Sequence, residues 1–243
     1  MSETLLTRGP LVARLASVPE DVDAAQALRF RAFRDPDGTG RDADPFDATF
    51  DHLLVERDGA LVCTFRFQLF EGGAAAQAGY TARVYDIAPL EPLAGPWIEM
   101  GRFCMAPGDH DPDLLRLAWG AMTRIVDGSG ARLLFGCSSF AGTDPAIHGA
   151  TLRLLRARHL GPEGLRPGRR APETVALPAG EFDPAAAQRG LPPLLRTYLM
   201  MGGWVSDHAV VDRDMGTLHV FTGVEIDKVP PARARALRAL AGD

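Results

Sequence analysis

The sequence predicts a mixed α/β fold, a sheet with helices packed on it, formed as one domain over residues 1–243. Three observations carry that prediction. Alternating apolar runs read as strands on either side of helices with clear start and stop signals. The chain of 243 residues is 46% hydrophobic, enough for an ample core. No internal repeat or linker interrupts it.

Residues 11–17 read as the first strand. Pro19 and Glu20 open a helix with Val22, Ala25, Leu28 and Phe33 at helical spacing. Residues 34–48, rich in Asp, Gly and Pro, read as a loop with a short turn. His52–Glu56 is a strand, Asp58-Gly59 a hairpin turn, and residues 60–70 the partner strand. In that partner Leu61, Cys63, Phe65, Phe67 and Leu69 alternate with Thr64, Arg66 and Gln68. Gly72–Gly79 is small and flexible, and Thr81–Ile87 is read as a further short strand. Residues 97–105 are a strand. Asp111 and Pro112 cap a helix over about 113–127, with a stripe of Leu114, Leu115, Ala118, Trp119, Met122 and Ile125. Residues 131–138 are apolar on both faces and read as a central strand. Thr143-Asp144-Pro145 starts a helix that Gly161 is expected to end. Residues 161–190 read as a long loop with a strand near 174–177. Pro192-Pro193 opens a helix closed by Gly202-Gly203, residues 214–226 are a final strand, and Arg233–Leu240 a basic terminal helix.

The net charge is -5, which argues against nucleic acid as a partner. Cys63, Cys104 and Cys137 lie in apolar runs, as expected of small core residues in a reducing compartment. The histidines show no metal-ligand spacing, so no metal is expected. No signal peptide and no uninterrupted apolar stretch of spanning length is seen. The reading is a cytoplasmic protein, free or peripheral on the inner membrane.

The run Trp97-Ile98-Glu99-Met100-Gly101-Arg102-Phe103-Cys104 places a carboxylate and a guanidinium in an apolar strand. An unpaired buried charge is costly, and such residues mark either a site or a structural ion pair. Glu99 and Arg102 would face opposite ways in a regular strand, so Gly101 suggests a bulge that turns both toward one cleft. Arg29, Arg66 and Arg102 with Asp44 and Asp47 suggest a charged network. It reads equally as a site for an amino acid's carboxylate and ammonium groups or as a salt-bridge web ordering the loop.

The order of elements and these motifs resemble the GNAT acyltransferase superfamily. Two branches are close. Arg29, Phe33, Asp44, Asp47, Arg66, and Glu99 with Arg102 and Phe103 resemble the acyl-homoserine-lactone synthases. Residues 34–43 lack the aromatic residue expected in that branch, which leaves it the weaker match. Glu99–Cys104, the block from Leu134 through Phe135-Gly136-Cys137-Ser138-Ser139 to Pro145, Leu191-Pro192-Pro193-Leu194 through Tyr198, and Gly203-Trp204-Val205 resemble the L-ornithine N-acyltransferases of ornithine-lipid synthesis.

The resemblance implies a GNAT-like mixed, mostly antiparallel sheet flanked by helices. It implies transfer of a 3-hydroxyacyl chain from acyl carrier protein to the α-amine of L-ornithine, giving lyso-ornithine lipid. The alternatives are a lactone synthase using S-adenosylmethionine and a non-catalytic acyl-binding module. No bound cofactor is implied; the acyl carrier protein thioester is a co-substrate. Catalytic candidates are Glu99, Arg102, Ser138 and Tyr198, and substrate contacts Arg29, Phe33, Asp44, Asp47, Arg66, Phe103 and Ser139. Glu99 is the candidate base for an amine that is mostly protonated at neutral pH. Ser138 has no nucleophile elbow around it. His148, one turn into the helix after Pro145, is a weaker candidate acid.

The turn Pro107–Asp113 carries three aspartates where coenzyme-A-dependent relatives hold a pyrophosphate. That favours a carrier-protein donor. Carrier proteins are acidic, so a basic landing surface is expected. Arg153, Arg156, Arg169 and Arg170 are the candidates for it.

Overall fold

A computed structural model describes residues 4–242. In chain order its elements are β1 (Thr4–Arg8), β2 (Leu11–Leu15), α1 (Pro19–Phe33), β3 (Asp51–Arg57), β4 (Ala60–Phe70), α2 (Gly73–Ala76), α3 (Thr81–Val84), β5 (Tyr85–Asp86) and β6 (Trp97–Met105). There follow α4 (Pro112–Ser129), β7 (Leu133–Ala141), α5 (Gly149–Arg158), β8 (Gly168–Arg169), β9 (Thr174–Ala176), α6 (Pro184–Arg189), α7 (Pro193–Met200), β10 (Trp204–Asp212), β11 (Thr217–Glu225) and α8 (Pro231–Ala241). The fold is mixed α/β with mostly antiparallel strand pairing, as expected of a GNAT-like chain.

The residues gather into two compact units. The first takes the described residues up to Leu69, then Met100–Gly130 and the described residues from Pro231 onward. The second takes Phe70–Glu99 and Ala131–Pro230. β6 therefore gives its first three residues to the second unit and the rest to the first.

In the first unit the strand order is β1-β2-β3-β4-β6. The Asp58-Gly59 turn joins β3 to β4 as expected, with Asp58 and Gly59 both at positive φ. The β3–β4 register sets His52 opposite Arg66 and Asp51 opposite Phe67. α4 packs on β1, β2, β3 and α8. Asp111 caps it by accepting from the Asp113 N–H, and Gly130 ends it in the left-handed conformation. At Gly120 a Cβ would stand 2.6 Å from the Leu240 carbonyl oxygen, so the absent side chain lets α8 lie close. β1 is an element that the sequence reading lacked.

In the second unit the first residues of β6 pair in parallel with β7, Trp97 opposite Leu133 and Glu99 opposite Phe135. β7 then runs antiparallel to β11 from Leu133 to Ala141, and β10 and β9 follow. The core holds an aromatic stack. Phe135 and Phe221 lie 6.0 Å apart, Trp204 and Phe221 5.4 Å, and Trp97 meets Phe135 edge-on at 5.9 Å.

Several elements differ from expectation. Thr81–Ile87 is a helical turn with two strand residues, not a strand. The 161–190 stretch carries α6, capped by Asp183, besides β8 and β9. α5 ends at Arg158, and Gly161 instead packs under the Trp204 ring. β10 was not anticipated, because Ser206, Asp207 and His208 break its apolar pattern. Two of those groups find partners within the strand: Ser206 donates to the His208 carbonyl and His208 Nδ1 meets Asp207 Oδ1.

Candidate active site

Glu99 lies near the start of β6 and is 2% exposed. Its Oε1 accepts two hydrogen bonds from one residue, the Thr81 backbone N–H at 2.6 Å and the Thr81 hydroxyl at 2.6 Å. A Cβ at Gly79 would overlap Oε2 of Glu99, so the glycine gives that oxygen its space. The Thr81 hydroxyl lies 3.8 Å from Cys137 Sγ on β7. Neither Thr81 nor Gly79 was anticipated. A threonine in a stretch with strand composition gave no signal for the helical turn that aims its N–H and hydroxyl at Glu99.

Arg102 has φ 54, a left-handed conformation that is strained for a residue with a side chain. A Cβ at Gly101 would meet nothing within 4 Å. The kink expected at Gly101 therefore falls on Arg102. The two charges of the motif take different partners: Glu99 is held by Thr81, whereas Arg102 reaches Asp42 at 3.1 Å and Asp44 at 3.4 Å.

Arg102 belongs to a web in the first unit. Arg29, on α1, donates to Asp42 at 3.1 Å and to both oxygens of Asp47 at 2.7 and 2.8 Å. Arg66, on β4, donates to Asp44 at 2.6 and 2.7 Å and to Asp47 at 2.6 Å. Its guanidinium also lies over the Phe46 and Phe50 rings, 5.8 and 5.3 Å from their centroids. Gln26 adds a donor to Asp47 at 3.0 Å. The loop that carries the acids is ordered locally by a capping box. Asp44 accepts from the Phe46 N–H, Asp47 returns a contact to the Asp44 N–H, and Pro45 starts the 3-10 turn Pro45–Ala48.

Burial pushes the Asp47 carboxyl toward neutrality, but Arg29 and Arg66 outweigh it and hold the group well below the usual carboxylate range. Asp44 is lowered in the same way, against burial, chiefly by Arg66. His52 Nε2 lies 3.3 Å from the Asp47 carbonyl oxygen, and burial lowers its pKa, which favours the neutral imidazole. Sequence reasoning missed Asp42, as well as Gln26 and Arg34, which reaches Asp42 at 3.7 Å. Nothing in the sequence separates Asp42 from Asp35 and Asp37, which lie in the same loop and are exposed.

The other candidates are dispersed. Phe33 closes α1, and Phe103 stacks on Phe65 at 5.7 Å. Ser138 is buried on β7, where its Oγ accepts from Thr222 Oγ1 at 2.9 Å, while Ser139 is exposed. Tyr198 is buried on α7, and desolvation raises its pKa, so the phenol keeps its proton. His148 Nε2 lies 2.9 Å from the Ala141 carbonyl oxygen, and its ring packs against Phe140. Of the arginines, Arg156 donates to the Leu177 carbonyl at 2.9 Å and Arg170 to the Ala82 carbonyl at 2.6 Å. Arg169 reaches the Thr174 hydroxyl at 3.2 Å. In the acidic turn Arg57 grips Asp109 at 2.7 Å and Asp111 at 2.8 Å. Among the described residues no group of three or more His, Cys, Asp or Glu side chains could hold a metal ion. Among them, too, no helix is long and apolar enough to cross a membrane.

Comparison with known proteins supplies the family. The chain is 34% identical over 226 residues to an L-ornithine N(alpha)-acyltransferase of Rhodobacter capsulatus, an alignment covering 85% of this chain and 86% of the relative. The chain belongs to the L-ornithine N(alpha)-acyltransferase family. A family member from Brucella abortus is 32% identical over 245 residues, covering 91% of this chain and 86% of its own. The acetyltransferase (GNAT) domain model matches residues 28–120, a span that includes Arg29, Thr81, Glu99 and Arg102. This family member is thus a GNAT acyltransferase. FeeM, an N-acyl amino acid synthase from uncultured soil microbes, aligns over 96% of this chain and 97% of its own, with TM-score 0.46 and 12% identity.

Proposed function

We propose that this chain, as one acyltransferase domain, moves an acyl group from a carrier-protein thioester to the α-amine of L-ornithine. Its relatives are named L-ornithine N(alpha)-acyltransferases, which supports ornithine as acceptor. The structural observation that carries the chemistry is the Glu99 carboxylate, sunk in β6 and gripped by Thr81.

The ammonium form of the acceptor has no lone pair to attack with. Glu99 takes its proton, directly or through a bridging water, and the freed nitrogen adds to the thioester carbonyl. The C–N bond forms, the C–S bond breaks, and a proton leaves with the thiol. No enzyme nucleophile is needed, and the buried Ser138 hydroxyl is already engaged with Thr222. Tyr198 keeps its proton and so is not available as a base.

Within the first unit, the outer members of the web, Arg102 and Asp44, are charges of the kind that read a carboxylate and an ammonium group. Their 3.4 Å contact is longer than the other ion pairs described for Arg29, Arg66 and Arg102, at 2.6–3.1 Å. A carrier-protein donor is supported by the turn before α4. A pyrophosphate there would meet three aspartates, two of them already bound to Arg57. The exposed arginines on and after α5 would face the acidic carrier, at the inner surface of the membrane that receives the product.

The test is to incubate acyl carrier thioester with ornithine or with S-adenosylmethionine and to weigh the product. An N-acyl-ornithine supports the reading, and an acyl-homoserine lactone overturns it. Glu99→Gln should fold normally and lose about 100-fold or more in kcat, the usual worth of a positioned base. Near-normal turnover would remove Glu99 from the mechanism.

A further inference from the structure

We propose that Thr81 is a positioning residue, which holds Glu99 as an oriented carboxylate, and that Gly79 reserves the space of its second oxygen. The inference rests on the role proposed for Glu99 and adds the residues through which the fold sets that role.

A glutamate in an apolar strand is drawn toward its neutral form, which cannot take a proton. Hydrogen bonds to the carboxylate favour the ionised form. Thr81 supplies two of them to Oε1, from its N–H and from its hydroxyl, both at 2.6 Å. The first comes from a backbone N–H in the opening turn of a helix, where no intrahelical partner exists. The second comes from the hydroxyl. With that hydrogen on Glu99, the 3.8 Å contact is one in which the Cys137 thiol donates to the threonine oxygen. The bonds therefore run in one direction, from Cys137 through Thr81 to Glu99.

Two donors on one oxygen also fix the carboxylate's rotation. Oε1 is bound to Thr81, and Oε2 is turned to the side where Gly79 stands. Beyond Oε2, a Cβ at Gly79 would come within 3.1 Å of the Phe70 ring and 3.2 Å of the Ala76 carbonyl oxygen. Alanine there would displace Glu99 or the turn between α2 and α3. The helical turn that replaces the expected strand at 81–84 is what brings both devices to the same carboxylate.

The test compares Thr81→Val, Thr81→Ala and Thr81→Ser with the wild type and Glu99→Gln. Thr81→Val keeps the shape and the N–H but loses the hydroxyl. It should lower kcat by about 10- to 100-fold, the rate equivalent of one hydrogen bond to a charged group, with little change in KM for either substrate. Thr81→Ser should restore most of kcat, a rescue that loss of packing alone would not produce. If Glu99→Gln is inactive while Thr81→Val keeps kcat within about twofold, this inference fails and the role of Glu99 stands. If Glu99→Gln is active, the parent reading fails instead. Should the Val and Ala variants not fold, carboxyl-labelled wild type decides by infrared difference against Glu99→Gln. An ionised Glu99 band at assay pH, shifted from that of exposed glutamates, supports the proposal. A protonated carboxyl overturns it.

Discussion

Replacing Asp47 with Asn separates a structural web from a set of surface ion pairs. The Asp47 side chain is 6% exposed and takes hydrogen bonds from Arg29 at 2.7 and 2.8 Å, Arg66 at 2.6 Å and Gln26 at 3.0 Å. Removing one partner of a buried ion pair typically destabilises by 3–5 kcal/mol, because the other charge stays buried. Arg29 retains Asp42 and Arg66 retains Asp44, so the loss should sit at the low end, about 3 kcal/mol. For a chain of this size that lowers Tm by about 6–12 °C. Calorimetry and urea unfolding with an unchanged m-value would measure it. The difference also has a pH signature. The folded Asp47 carboxyl lies well below its ordinary value, so its contribution is complete above the unfolded value near 4 and fades as pH falls toward the folded one. The gap between wild type and Asp47→Asn should therefore be constant at neutral pH and shrink only under strong acid. A loss below about 1 kcal/mol at pH 7 would refute the reasoning, since that is the worth of solvent-screened pairs.

Asp44→Asn should behave differently. Asn caps a helical turn as well as Asp, so the Pro45–Ala48 turn should survive, with a stability loss of about 1–2 kcal/mol and a raised KM for ornithine but not for the acyl donor. Equal rises in both KM values would count against recognition by Asp44. On the donor side, Arg153→Glu with Arg169→Glu spares the carbonyl contacts of Arg156 and Arg170. It should raise the apparent KM for a carrier-protein thioester, steeply at low salt, and leave a small pantetheine thioester nearly unaffected. A similar response from both donors would remove the docking surface.

Much of the fold was readable where local chemistry and tertiary packing agree. Asp111-Pro112 and Gly130 bracket α4, and Asp58-Gly59 makes the β3–β4 hairpin, because each needs only its own residues. Elements that depend on distant partners were opaque. β10 hides its strand pattern behind Ser206, Asp207 and His208, whose partners lie within the strand and on the Phe221 backbone of β11. α3 has strand-like composition, and its contact with Glu99 is a tertiary fact invisible to propensity. The candidate site divides likewise. Glu99, Arg102 and Arg66 stand out as charges in apolar or alternating strands, whereas Arg29, Asp44 and Asp47 were marked by the resemblance to the lactone synthases. Asp42 sits among similar loop acids, and Gly79 among small residues that read as flexible, so neither could be singled out.

The two readings of the charged network, substrate site and structural web, need not compete, because burial grades its members. Arg29, Asp42 and Asp47 are nearly closed to solvent, and each of these charges faces at least one opposite charge. Charges buried that deeply and paired that completely have nothing left to offer a ligand without exposing an uncompensated partner. Arg102 and Asp44 are different: 15% and 19% exposed, 3.4 Å apart, with Arg102 carried on a strained backbone. On the function proposed above, an incoming carboxylate and ammonium would exchange for that one contact and leave the inner pairs untouched. The inner web would then hold the outer pair in place for the exchange. Asp47→Asn and Asp44→Asn should accordingly fail in different currencies, the first in stability and the second in acceptor binding.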